Sequence, residues 1–191
     1  MKIIFENMSR IFFVLLLTSF SSLDLSAQAY KDSIETQFLR YTDLLIKKDY
    51  AKSADYLNPG FFKVVPKAQL ISIMEKSLND PAADFKIESP KVISIGNSRI
   101  IAKQSYVKMK YSNYLSMHFK GGDSNVELAN QSLQGTFGKE NVTYDSATKS
   151  FRVFVVKDVI ANSQDNKNWT FVVVEEKQKP VLEKFIPKEL L

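Results

Sequence analysis

Apolar residues recur every three or four positions in the first part of this chain and every second position later, so helices precede strands. Ile34, Phe38, Tyr41 and Leu45 fall on one face of a helix predicted from about Asp32 to Lys48. Asp32 and Glu35 form a variant capping box at its start, and Lys47 and Lys48 complement the negative dipole end. Asp49 is placed to cap a short second helix that turns Tyr50, Ala54 and Leu57 inward, and Asn58-Pro59-Gly60 stops it. A third helix starts with Pro66 at its first position and aligns Leu70, Ile71, Met74 and Leu78 before Asn79-Asp80-Pro81 ends it.

Beyond Pro81 the period becomes two. Val92 to Ile95 reads as a strand, Gly96-Asn97 as a turn, and Ile100 to Tyr111 as one long strand. In that strand Val107, Met109 and Tyr111 share one face, and Tyr106, Lys108 and Lys110 the other. A further strand carries Leu115, Met117 and Phe119 to one side. Ser124-Asn125-Val126-Glu127 is a capping box opening a short helix with Val126, Ala129, Leu133 and Phe137 at helical spacing. Val142 to Tyr144 and Phe151 to Ile160 form a hairpin across Asp145-Ser146-Ala147-Thr148-Lys149, and Trp169 to Glu175 is the last strand. Phe151 to Val156 and Phe171 to Val174 are apolar on both faces. Their second face must be covered, by the tail residues Leu182, Phe185, Ile186, Leu190 and Leu191 or by a second copy of the chain.

The 191 residues suffice for one core, 45% hydrophobic and 25% charged. With no cysteine, stability rests on apolar burial, and a lipoprotein anchor is excluded. Lys2 and Arg10 flank a polar start, Ile11 to Leu17 is unbroken apolar sequence, and Ala27-Gln28-Ala29 has the small-residue spacing of a signal-peptidase site. The expected organisation is a signal peptide over 1–27 and one domain over 28–191 with a tail at 178–191. The mature product would be periplasmic or secreted, with no membrane insertion after cleavage. The net charge of +5 is spread along the chain without a basic tract. Tyr106, Lys108, Lys110 and Tyr114 interleave bases and rings, but export argues against nucleic acid, and lysine stems covering a sheet face explain them.

Helices followed by a bent antiparallel sheet, with the phrase KKDYAKSADYLNPGFF joining the helices, resemble the nuclear transport factor two-like, or SnoaL-like, superfamily over roughly residues 30 to 176. The resemblance implies an α+β cone: N-terminal helices packed on a strongly curved antiparallel sheet, here with a short helix inserted between strands. It also implies a pocket between sheet and helices for a small hydrophobic ligand, and a homodimer through the sheet's outer face. Tyr41, Tyr56, Met109, Tyr111, Phe154 and Trp169 are the candidate pocket residues. Ketosteroid-isomerase-like relatives of the fold pair a carboxylate base with a tyrosine donor. Here Asp43, Asp55 or Asp84 could supply the base and Tyr41, Tyr56 or Tyr111 the donor, but no motif singles out a pair. His118 is the sole histidine, which removes histidine-based triads and multi-histidine metal sites; no metal or cofactor is expected. The expectation is a non-enzymatic binder of a small hydrophobic molecule or a partner segment. An isomerase or hydro-lyase working by proton abstraction and a cell-envelope assembly partner are the alternatives.

Overall fold

The computed structural model describes residues 21–79, 83–120 and 126–191, with side chains from residue 28 onward. Lys2, Arg10, Ile11 to Leu17, Pro81 and Ser124 lie outside the described residues. The first helix, α1 (Ser21–Ile46), begins earlier than Asp32. Asp32 is not a cap: its carboxylate accepts from Gln28 Nε2 one turn back at 2.7 Å. Ala27, Gln28 and Ala29 are good helix formers, so nothing there stops propagation. At the other end Lys48 takes φ 59°, and the amides of Lys48 and Asp49 donate to the carbonyls of Leu45 and Leu44. This is the paired closure of a Schellman motif, built on lysine where glycine is usual. Asp49 then caps α2 (Tyr50–Ser53) by accepting from the Lys52 amide. A 3₁₀ turn (Ala54–Tyr56) leads to α3 (Phe61–Val64) and α4 (Lys67–Leu78), for which Pro66 is the residue before the helix rather than its first.

Six strands form one open antiparallel sheet: β1 (Ala83–Ile95), β2 (Arg99–Ile101), β3 (Gln104–Phe119), β4 (Val142–Asp145), β5 (Ser150–Ser163) and β6 (Thr170–Val174). The long strands β3 and β5 are central; β1 and β2 flank β3, while β4 and β6 flank β5. The stretch from Ile100 to Tyr111 is therefore not one strand. Ala102 and Lys103 both adopt positive φ, at 48° and 65°, and fold β2 back onto β3. Conversely, Leu115 to Phe119 is not a separate strand but the continuation of β3. In β1 the register slips between Glu88 and Lys91, where Ser89 at φ 49° precedes Pro90, and again between Val92 and Ser94. Such bulges bend the strand and let a proline sit in it.

β3 and β5 pair without a register shift, so their alternation assigns both faces. Val107, Met109, Val159 and Ala161 share the face that packs under Ile34 and Phe38 of α1. Further along the same face, Met117, Phe151 and Val153 pack under Val126, Ala129, Leu133 and Phe137 of α5 (Val126–Phe137). The opposite face buries Tyr106, Ile160 and Val172 beneath the C-terminal tail, where α6 (Lys179–Leu182) and the residues after it supply Leu182, Ile186 and Leu190. The tail therefore provides the cover that the two-sided apolar strands require, over one end of the face. Each large apolar side chain buried this way contributes about 1.5–3 kcal/mol.

The connector from α2 to α3 is stitched to β6. Leu57 bridges Phe171, Asn58 Nδ2 donates to Asn162 Oδ1 at 2.7 Å, and Thr170 Oγ1 donates to the same oxygen at 2.7 Å. Asn58 Oδ1 accepts from the Gly60 amide, which holds the turn against the ring of Phe185.

Candidate functional site

Between α1 and the sheet centre, buried side chains pack directly on one another. Phe38, fully buried, meets Tyr111 edge-on at 4.9 Å and Phe171 at 5.1 Å, with Tyr41 at 5.9 Å. Of the candidate pocket residues, Tyr41, Met109, Tyr111 and Trp169 all belong to this packed cluster. Tyr56 packs at its margin, 6.5 Å from Tyr41 ring to ring. Phe154 lies on the opposite face of the sheet, 5.2 Å from the Tyr114 ring. Burial pushes the Tyr41 hydroxyl far up, with Tyr111 nearby adding to it, and pushes Tyr111 up to about 12. Both stay protonated in any ordinary buffer.

The candidate carboxylates are elsewhere. Asp43 pairs with Lys47 at 2.8 Å, Asp55 with Lys67, and Asp84 with Lys120 at 2.9 Å, each pair being substantially exposed. None of the three stands beside Tyr41 or Tyr111 in a dry environment, which is what proton abstraction by a raised-pKa carboxylate requires. Among the described residues no group of three or more histidine, aspartate and glutamate side chains is placed to hold a metal ion.

Open space lies at the sheet's edge. The Schellman turn at Lys48 swings the chain away from the sheet, so the end of α1, the start of α2 and the end of α4 converge on the outer edge of β1. Between them is an apolar cavity of about 290 Å³ lined by Leu45, Ile46, Tyr50, Leu78, Phe85 and Ile87. Residues 83–88 of β1 pair only with β3, leaving their other edge toward this cleft. Tyr50 is 4% exposed, and its hydroxyl has no hydrogen-bond partner. Burial raises the pKa of this hydroxyl above its ordinary value, and the Asn79 side chain beside it works in the opposite direction.

A second, polar basin of about 590 Å³ shares the lining residues Lys48, Leu78, Phe85 and Lys86 with the apolar cavity, so the two adjoin. Its floor follows from strand register: Asp84 and Ser150 flank His118, and Lys86 lies opposite Ser116. Lys48 Nζ donates to Asn79 Oδ1 at 2.7 Å, and Lys120 holds the Asp84 carboxyl below its usual range. His118 Nδ1 lies 3.1 Å from the Lys149 carbonyl, which can only accept, so Nδ1 is the donor of that pair. A third cavity of about 370 Å³, beside the end of the tail, is crossed by the ion pairs Lys157–Glu175 and Lys179–Glu176.

The sequence assigned Tyr50 and Leu78 to apolar faces without indicating a cavity. Lys48, Lys86, His118 and Lys120 come together only because β1 pairs with β3 and α4 ends beside them. No spacing in the chain announces that meeting. In comparisons with known proteins, no family model, no curated protein and no solved structure matches the chain.

Proposed function

We propose that the chain is an exported, non-enzymatic binding protein that holds a small, mainly apolar molecule in the cleft between α1, α2, α4 and the outer edge of β1. The observation that carries this reading is an apolar cavity whose lining includes Tyr50, a residue with a buried hydroxyl that has no partner. An orphaned buried donor or acceptor costs about 1–3 kcal/mol, and a ligand acceptor that reached it would offset that cost. Six apolar side chains around a few polar groups is the usual make-up of a small-molecule site. Export rests on the N-terminal charge-then-apolar layout and the Ala27-Gln28-Ala29 spacing.

The test is a thermal-shift panel of uncharged apolar compounds against the wild type and Tyr50→Phe. Binding should raise Tm by mass action in the wild type. Tyr50→Phe should leave the free protein as stable or slightly more so, since it deletes the orphaned hydroxyl, and should weaken the ligand shift. A panel without a single shift, together with a destabilised Tyr50→Phe, would sink the reading.

A second reading, assembly through the sheet's outer face, has one observation in its favour. Where the tail stops, Tyr114 and Phe154 stack beside Arg152, whose guanidinium lies 3.8 Å from the Tyr114 ring, and Val156 is 46% exposed. Light scattering on the wild type and Val156→Lys separates the two: a dimer lost in the variant supports assembly, and a monomer in both removes it.

A further inference from the structure

We infer that the occupant of the cleft is a single-chain amphiphile with a carboxylate head, its body in the Tyr50 cavity and its head among the lysines of the adjoining basin. This rests on the binding reading and specifies its ligand class. The apolar cavity, at about 290 Å³, is at the lower limit of ligand pockets, roughly 300–1,000 Å³. An occupant that fills it therefore extends where the wall is shared, into the 590 Å³ basin past Lys48 and Lys86.

The charge there favours an anion. Among the described residues, Lys48, Lys86 and Lys120 line the basin with one carboxylate, Asp84. Lys48 donates to a neutral amide oxygen, which occupies one of its three N–H groups and none of its charge. The Lys120–Asp84 pair is about half exposed on both sides and so exchanges at little cost. Glu88, on the rim of the apolar cavity, faces Arg152 at 3.6 Å and does not cancel the basin's lysines. The Ser116 side chain adds a hydroxyl donor, while that of Ser150 already donates to the Thr148 carbonyl.

The excess also has a ceiling. α1 and α4 both direct their C-terminal ends at this cleft, and the negative dipole ends oppose a concentrated anion. Among the described residues, the basin's lining includes neither an arginine fork nor a helix N-terminus, the devices that favour phosphate. A carboxylate carries one charge where a phosphate monoester carries about 1.5 to 2. One charge on a flexible chain fits what the lysines offer after the dipoles are counted.

Calorimetric titration of the full chain at pH 7.5 and low salt, with dodecanoate, dodecanol and dodecyl phosphate below their aggregation concentrations, tests the assignment. Dodecanoate should bind at least tenfold tighter than dodecanol, and raising the salt should shrink that gap. Lys86→Gln, at an exposed strand position, should weaken dodecanoate several-fold and leave dodecanol unchanged. Tyr50→Phe should weaken the acid and the alcohol by the same factor. Equal affinities for acid and alcohol would overturn the carboxylate assignment and leave the binding reading standing. Tighter binding of dodecyl phosphate than of dodecanoate would overturn the head group alone, and no binding of any of the three would overturn both.

Discussion

Replacing Phe38 by alanine distinguishes a packed α1–sheet interface from a hollow one. The ring is fully buried and makes edge-on contacts with Tyr111 at 4.9 Å and Phe171 at 5.1 Å. Truncating a sealed core phenylalanine costs about 3–5 kcal/mol, the lost transfer energy plus the cavity left behind. Aromatic pairs add about 0.5–1.5 kcal/mol each beyond area burial, which puts this site in the upper half of that range, at about 4 kcal/mol. For a domain of this size the loss corresponds to a Tm fall of roughly 8–16 °C. Urea denaturation followed by far-ultraviolet circular dichroism, at unchanged m-value, is the assay. Phe85→Ala is the internal control, because Phe85 is half-buried and lines the open edge cleft; its expected cost is about 1–1.5 kcal/mol. If Phe38→Ala cost no more than Phe85→Ala, the interface beneath α1 would be loosely filled, and the case for moving the site to the sheet's edge would collapse.

Other expectations follow from the same packing. In Gly60→Ala the new Cβ would collide with Cγ of Phe185, near the root of that side chain, so the tail must shift; about 1–3 kcal/mol of stability should be lost in thermal melts. Asn162→Ala strands Asn58 Nδ2 and leaves the Thr170 hydroxyl only its 3.4 Å contact to the backbone carbonyl of residue 162, so chemical denaturation should register a loss of about 1–3 kcal/mol, while Asn162→Asp should recover part of it. Deleting residues 179–191 uncovers Tyr106, Ile160 and Val172, so light scattering should detect self-association absent from the full chain. Tyr41 and Tyr111 have folded pKa values raised above the ordinary value of 10.0, so their contribution is complete below about pH 10 and is lost as pH climbs through about 12. The urea midpoint should stay level to about pH 9.5 and then fall, and tyrosinate absorbance should lag until unfolding; a normal titration of every tyrosine in the folded state would contradict this.

Local chemistry made much of the fold legible. Asp49 announced the cap it makes, and Val126, Ala129, Leu133 and Phe137 announced the face that α5 buries. The two-sided apolar strands demanded a cover, and the tail supplies it. What misled the reading was backbone conformation without its usual residue. Ala102 and Lys103 take positive φ at the β2–β3 turn with no glycine or asparagine to mark it, so two strands read as one. The long strand was expected to end at Tyr111, yet Ser112 and Asn113 just beyond it are buried in the middle of β3. Asp32 looked like a cap because a carboxylate three residues before a glutamate has the same signature inside a helix as at its start. The candidate site was least legible, because it depends on where α1 stops. A left-handed lysine at position 48 ends the helix, turns Tyr50 under it and opens the edge of β1 beside Leu78. Those residues come from three separate stretches, and their meeting is a property of packing angles rather than of any spacing.

Methyl-resolved NMR of isotopically labelled protein titrated with dodecanoate asks most directly where an occupant sits. Shift changes concentrated on Leu45, Ile46, Leu78 and Ile87, with Ile34, Met109 and Val159 unmoved, are the expected result. Changes centred on Ile34, Met109 and Val159 instead would place the ligand beneath α1 and contradict the edge cleft as the functional site.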